Sequence, residues 1–263
     1  MGRKIAVVTG ASSGMGREFV RQLDASETFE EIWAVARRAD RLRELGDGLR
    51  AALRPLALDL TQPEAGEAYA ALLAEEKPEV AVLVNAAGYG VFGAFAERDL
   101  ETQLGIIELN DKALVRMTGL TLPYMSRGSR IYQMGSLSSF QPVPYINVYG
   151  ASKAFVLSFS RSLNVELRPG GIRVMAVCPG WVRTDFFQRA VSDDTICYYD
   201  RWYTPEQVVT RALRDMARGR DVSVCGFPVR SQVRLVKLLP HRLVMRIWCG
   251  QQKQPRNGKR GEK

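Results

Sequence analysis

The sequence contains one histidine, His241, and four cysteines, Cys178, Cys197, Cys225 and Cys249, with no CxxC pair among them. Ligands this few and this scattered make a metal site or a disulfide framework unexpected. The same cysteine usage suits a reduced, cytoplasmic protein. No run of about 18 apolar residues occurs, so no transmembrane segment is expected. The opening MGRKIAVVTG enters a strand-like run directly, without a cleavable apolar stretch, and Gly2 lacks the Ser/Thr pattern of myristoylation. Internal repeats and low-complexity linkers are missing too, which favours a single folded domain.

Acidic residues are scarce in one region only. The net charge is +9, yet ten of the 37 Lys/Arg residues and one of the 28 acids fall in 228–263, which leaves 27 of each sign elsewhere. The body is therefore neutral and the tail carries the excess. Nucleic-acid binding needs a basic surface with base-reading groups, and no such set is recognisable, so nucleic acid is not an expected partner.

What is present is a long alternation. With 263 residues and 46% hydrophobic content, the chain can bury a sizeable core. Apolar or β-branched runs at 4–9, 31–36, 55–59, 79–85, 129–134, 172–178 and 221–225 read as strands covered on both faces. Helical patterns lie between them near 14–26, 38–50, 62–76, 98–120, 149–168 and 205–219, the last opened by TPEQ with proline in its first turn. This order predicts an α/β fold: one doubly wound (Rossmann) domain over residues 1–227, with a seven-stranded parallel sheet flanked by helices. A basic amphipathic helical extension is expected over 228–250, and 251–263 is expected to be disordered.

The first strand runs into TGASSGMG, Thr9 to Gly16. Glycines 10, 14 and 16 permit a tight turn, close approach of backbone to an anion, and close packing of the following helix. That helix start, with Ser12, Ser13 and Met15 in the loop, is suited to a pyrophosphate. The same residues spell G-x-S-x-G, so a hydrolase elbow at Ser12 with His241 as its base is an alternative. An elbow needs earlier strands for its oxyanion loop, and His241 sits in the basic tail, so this reading is not favoured. Further along, VYGASKAF sets Tyr149 and Lys153 one helical turn apart, on one face. By itself that pair could equally be a surface tyrosine beside a lysine.

Taken together, TGASSGMG, NAAG (85–88), Asn110, Ser136, YGASK (149–153) and PGWVRT (179–184) resemble the short-chain dehydrogenase/reductase family, over roughly residues 3 to 225. The resemblance implies Tyr149 as general acid in ketone reduction and base in alcohol oxidation, with Ser136 orienting the carbonyl oxygen. Ser138 and Ser139 are nearby rivals. It further implies Asn110 as the residue holding a relay water and Lys153 as the partner of Tyr149 and of the nicotinamide ribose. Moving a phenol from about 10 to neutrality takes roughly 4 kcal/mol. A cation about 4 Å away at an effective dielectric near 20 supplies a similar amount, so Lys153 is expected to lower Tyr149 directly.

For the cofactor, the resemblance implies contacts from Gly10, Ser12, Ser13, Gly14, Met15 and Gly16, from Asp59 and Leu60 at the end of the third strand, from Asn85 and Gly88, and from Val182 and Thr184. The second strand ends Val35-Ala36-Arg37-Arg38, with no acid for ribose hydroxyls. Arg37 and Arg38 suit a 2′-phosphate, so NADP(H) is expected, with NAD(H) the alternative. The rings Trp181, Phe186, Phe187, Tyr198, Tyr199, Trp202 and Tyr203 are expected to close over a bulky apolar ketone or alcohol such as a hydroxysteroid, or else to cover the sheet end or a subunit contact. The expected partners are thus a small-molecule ketone or alcohol and, by resemblance, further copies in a homodimer or homotetramer. The basic tail is expected to touch anionic membrane, cover the pocket, meet a subunit, or simply pack on the body. Alternatives to this enzyme are a 3-oxoacyl-thioester reductase and a non-catalytic, cofactor-binding regulatory protein.

Overall fold

The computed structural model describes residues 2–191 and 193–252. Strand β1 (Lys4–Thr9) leads into helix α1 (Gly14–Ser26), followed by β2 (Glu31–Ala36), α2 (Ala39–Leu45), β3 (Ala52–Ala57), α3 (Pro63–Glu76) and β4 (Glu79–Asn85). Next come α4 (Leu100–Ile107), a π-turn over Glu108–Lys112, α5 (Ala113–Thr121), β5 (Arg130–Met134), α6 (Asn147–Leu167) and β6 (Arg173–Val177). The chain continues through β7 (Trp181–Val182), α7 (Phe186–Ala190), β8 (Trp202–Tyr203), α8 (Pro205–Ala217), β9 (Val222–Ser223), α9 (Phe227–Val236) and α10 (His241–Gln251).

Among the described residues, seven strands form one parallel sheet in the order β3-β2-β1-β4-β5-β6-β9. The two faces of β1 show why the sequence winds both ways. Ala6 and Val8 meet Phe19, Val20 and Leu23 of α1 and Val208, Val209, Ala212 and Met216 of α8. Ile5 and Val7 point to the other side, against Tyr69 and Leu73 of α3, Met117 of α5 and Leu163 of α6. Both sets are almost fully buried, and each large side chain contributes about 1.5–3 kcal/mol by leaving water. Strand order reverses beside β1, between β2 and β4, and it is there that strand ends part to leave a crevice.

Several boundaries differ from the sequence reading. Strand β3 ends at Ala57, so Asp59 lies in the loop beyond it; Pro55 is tolerated within the strand because β3 is a sheet edge. The helix expected over 98–120 is interrupted by the π-turn, and α2 stops at Leu45. The β7–β8 ribbon and α7 had no periodicity long enough to announce them. As expected, Thr204 and Gln207 form a capping box on α8, with Pro205 in its first turn.

The C-terminal helices of the extension are present. α9 buries Val229, Val233 and Val236, while Leu235 and, past its end, Leu238 are exposed beside Arg234 and Lys237. Of the stretch expected to be disordered, Gln251 closes α10 and Gln252 is buried; 253–263 lie outside the described residues. No described helix is long and apolar enough to cross a membrane.

Candidate active site

A cleft of about 490 Å³ opens over the C-terminal ends of the central strands. One end of it is the glycine loop. Gly10 and Gly14 take positive φ values of 67° and 51°, which side chains disfavour. A Cβ on Gly16 would lie 2.6 Å from the carbonyl carbon of Gly10 and nearer still to its oxygen. Thr9 Oγ1 accepts the N–H groups of Ala86 (3.0 Å) and Ala87 (3.1 Å), locking the loop to the end of β4. Ser13 sits at the N-cap of α1 without capping it through its side chain, and no acid stands in the first turn. The N–H groups of this 13-residue helix therefore face the cleft with their partial positive charge.

Ser12, Ser13, Gly14, Met15 and Gly16 all line the cleft, with Arg37, Arg38, Asp59, Leu60, Gly88, Val182 and Thr184. Arg38 donates to Ser12 Oγ (3.2 Å) and Ser13 Oγ (3.3 Å), so its guanidinium lies across the loop. Arg37 is 3.9 Å from Asp59, whose other carboxylate oxygen accepts from Thr61 N and Oγ1. Arg41 of α2 pairs with Asp185 before α7 at 3.1 Å, joining the two lips. Asn85 is the exception: it lies below the floor, donating to Thr118 Oγ1 and Gln133 Oε1 at 3.0 Å each, and does not line the cleft. The approach to the floor is made instead by Ala86, Ala87 and Gly88. His241 is exposed at the start of α10 and is not a lining residue, so Ser12 has no base beside it from that source.

Deeper in the cleft stand Ser136, Tyr149 and Lys153. Ser136 follows β5, and its Oγ accepts from Ser138 N (3.2 Å). Ser139 does not line the cleft; its hydroxyl accepts from Ser136 N and donates to the carbonyl of Lys153, a structural tie between β5 and α6. The Tyr149 ring packs on Phe186 at 5.4 Å, and a Cβ on Gly90 would lie 2.8 Å from it. Burial pushes the Tyr149 phenol up to about 12, with the Ser136 hydroxyl pulling the other way.

Lys153 lies on the same side of α6 as Tyr149, as the spacing predicts. Its Nζ donates to Met134 O at 2.8 Å and lies 5.6 Å from the centre of the Tyr149 ring. Lys153 is thus held beside the ring by a backbone acceptor, while burial is the largest influence on the phenol. Burial brings Lys153 itself down to about 8, opposed by Asp111.

Asn110 is fully buried in the π-turn. Its Nδ2 donates to Tyr89 O (3.0 Å) and Ser152 Oγ (3.1 Å), and its Oδ1 accepts from Tyr89 N (3.0 Å). Both donors are spent on fixing the 88–90 loop against α6, leaving one lone pair of Oδ1. The neighbouring Asp111 was missed in the sequence, where it looks like an ordinary helix acid. Its buried Oδ1 has no hydrogen-bond partner among the described residues, and burial raises the carboxyl to about 6 against the pull of Lys153.

A pH signature follows. The folded state holds the Asp111 proton more tightly than the unfolded chain, so this residue's contribution to stability is lost as pH rises from about 4 to 6. Asp111→Asn is therefore expected to raise Tm at pH 7.5, with the advantage shrinking through pH 6 and vanishing below about 4. Thermal scans across pH read this directly, and a difference independent of pH would contradict it.

The outer part of the cleft is aromatic. Trp181, Phe186 and Phe187 line it with Phe92, while Tyr199 and Trp202 pack behind them, Trp202 at 4.6 Å from Phe187 and Tyr199 at 4.9 Å from Trp181. Tyr198 is exposed, and Tyr203 turns toward Gly226 and the sheet. Trp248, from α10, also lines the cleft and was not among the rings expected there.

The sequence model of the short chain dehydrogenase family matches residues 4–195. The chain is 36% identical over 185 residues to an NADP-dependent 3-hydroxy acid dehydrogenase of Escherichia coli, covering 68% of this chain and 72% of that one. A short-chain dehydrogenase from Sphingobium yanoikuyae, solved in complex with NADPH, superposes with a TM-score of 0.77 at 29% identity, over 98% of this chain and 100% of that one. The bulky-bulky ketone specific alcohol dehydrogenase from Comamonas testosteroni gives 0.72 at 26% identity, over 91% and 93%.

Proposed function

The chain belongs to the short-chain dehydrogenase family and is an oxidoreductase acting on CH–OH groups; from that premise we propose that it interconverts a bulky apolar ketone, such as a steroid or other lipid ketone, with its secondary alcohol, using NADP(H). The observation that carries this reading is the meeting of Tyr149, Ser136 and Lys153 at the junction of a glycine-floored crevice and an aromatic pocket. The Comamonas enzyme, named for bulky ketones, and the NADPH-bound Sphingobium enzyme support it.

The residues present fit a dinucleotide. Gly10 and Gly16 let the loop backbone close on Ala86, Ala87 and itself where a Cβ would clash, α1 directs its N–H groups into the cradle so formed, and Asp59 and Gly88 stand along it. The bound dinucleotide supplies or takes the hydride. In reduction, Tyr149 Oη gives its proton to the carbonyl oxygen; a phenol raised to about 12 is fully protonated at neutral pH, as a donor must be. The Ser136 hydroxyl hydrogen-bonds the same oxygen as charge develops there. Lys153, pinned by Met134 O beside the ring, offsets the negative charge left on Tyr149. Asn110 keeps the 88–90 loop in place beside them. Phe186, Phe187 and Trp181 exclude water around the substrate.

Arg38 is assigned to the 2′-phosphate because it already reaches across the loop to two serine hydroxyls and no acid follows β2. NADPH oxidation measured over a panel running from small 3-oxo acids and acyl thioesters to bulky-bulky ketones tests the whole reading. The highest kcat/KM is expected for the bulky ketones with NADPH, and Arg38→Ala is expected to lower it about tenfold with NADPH while leaving NADH unchanged. A preference for NADH, or for the acids or thioesters over the ketones, would overturn the cofactor or the substrate assignment respectively.

A further inference from the structure

Helix α10 lies beyond the residues that the family match covers. Its inward face carries Val244 and Trp248, one turn apart, and Gln252 at its C-cap continues that spacing. Val244 is 5% exposed and Gln252 2%. The Trp248 ring stacks on Trp181 at 6.5 Å and 25°, while its Nε1–H donates to Pro144 O at 3.0 Å, in the loop that leads into α6 and Tyr149. Gln252 Oε1 accepts the N–H groups of both Cys197 and Tyr198, each at 3.0 Å, and the Cys197 thiol donates to Gln252 O at 3.4 Å. Tyr199, next in the chain, packs on Trp181. One helix face therefore supplies a ring to the cleft and ties down the segment that backs it.

Resting on the ketone-reductase reading, we propose that Trp248 is a specificity-determining residue of the substrate pocket and that Gln252 is a positioning residue that holds the 196–202 wall against it. The outer pocket is thus built by this chain's own C-terminal extension. Substrates large enough to pass Phe186 and Phe187 meet Trp248; small ones do not. A bidentate side-chain acceptor that is almost fully buried fixes two consecutive backbone N–H groups, which an unpaired loop would otherwise leave to water.

The test is kinetic, with a physical arm that needs no substrate. Trp248→Ala is expected to raise KM about tenfold for bulky apolar ketones, with KM for small ketones, KM for NADPH and kcat all within about twofold. Trp248→Phe, which keeps a ring, is expected to restore most of the loss, and Trp248→Leu serves the same comparison if the alanine variant fails to fold. Gln252→Ala is expected to raise the same KM about fivefold and to speed tryptic cleavage at exposed Arg201 by a similar factor, while Gln252→Glu, which keeps the acceptor, rescues both. An equal fall in kcat/KM for small and bulky ketones, or KM values that none of these variants moves, would overturn the assignment of Trp248. Unchanged cleavage in Gln252→Ala would overturn that of Gln252. If the wild-type chain reduces no ketone, the proposed activity fails, and the cleavage rates still decide whether α10 holds the wall.

Discussion

Tyr149→Phe is expected to lower kcat for ketone reduction by about 10³-fold while leaving NADPH affinity within about twofold. The substitution removes one oxygen and little else. The ring keeps its contact with Phe186 and its seat over Gly90, so the shape of the cleft survives. The hydroxyl is the proton source, and the side chains beside it are poor substitutes. Lys153 is held back by Met134 O, and Ser136, an ordinary alcohol, is a far weaker acid than a phenol. Stopped-flow or steady-state NADPH oxidation gives kcat, and cofactor fluorescence titration gives the affinity. Turnover close to wild type would mean that another group delivers the proton.

Gly16→Ala has the second largest expected effect, and it acts on fold and cofactor together. The added methyl would press into the Gly10 carbonyl, backbone against backbone, at the point where α1 passes over the end of β1. Neither partner is a flexible side-chain tip, so the loop and helix must separate. Overpacking of this kind costs about 1–3 kcal/mol, and a backbone clash belongs at the upper end. Near 3 kcal/mol in a chain of this size, Tm is expected to fall by about 6–12 °C. Because the same separation moves the α1 N–H groups away from where a pyrophosphate would sit, NADPH affinity is expected to fall at least tenfold. A Tm and a dissociation constant both equal to wild type would show that the close approach of Gly16 to Gly10 is not needed.

The sheet and its order of helices were legible because each buried strand is a compact apolar run and each helix has a face to cover it, as Ile5 and Val7 against Ala6 and Val8 illustrate. The glycine loop, Ser136, Tyr149 and Lys153 were legible as residues at fixed spacings, and the fold brings them to one cleft. Electrostatics was not legible in the same way. The i, i+4 spacing places Lys153 on the face of Tyr149 but does not say where its ammonium points, and a backbone acceptor, Met134 O, decides that. Asn85 read as a cofactor residue through the resemblance of NAAG, which implies backbone contacts; its side-chain amide turns inward to Thr118 and Gln133, a pairing 33 and 48 residues distant. Asp111 and the π-turn were hidden because one extra residue in a helical turn leaves no mark on periodicity. Trp248 and Gln252 were hidden for another reason: a short amphipathic helix announces a buried face, and only tertiary structure shows that the face closes a pocket.

The most direct measurement is a crystal structure of the chain with NADP⁺ and a bulky ketone. Tyr149 Oη and Ser136 Oγ are both expected within about 3.2 Å of the ketone oxygen, with its carbon about 3–3.5 Å from the nicotinamide C4 and its larger substituent reaching Trp248. A complex that left the Tyr149 hydroxyl turned from the ketone, or seated the nicotinamide away from it, would contradict proton delivery by Tyr149 beside a bound dinucleotide.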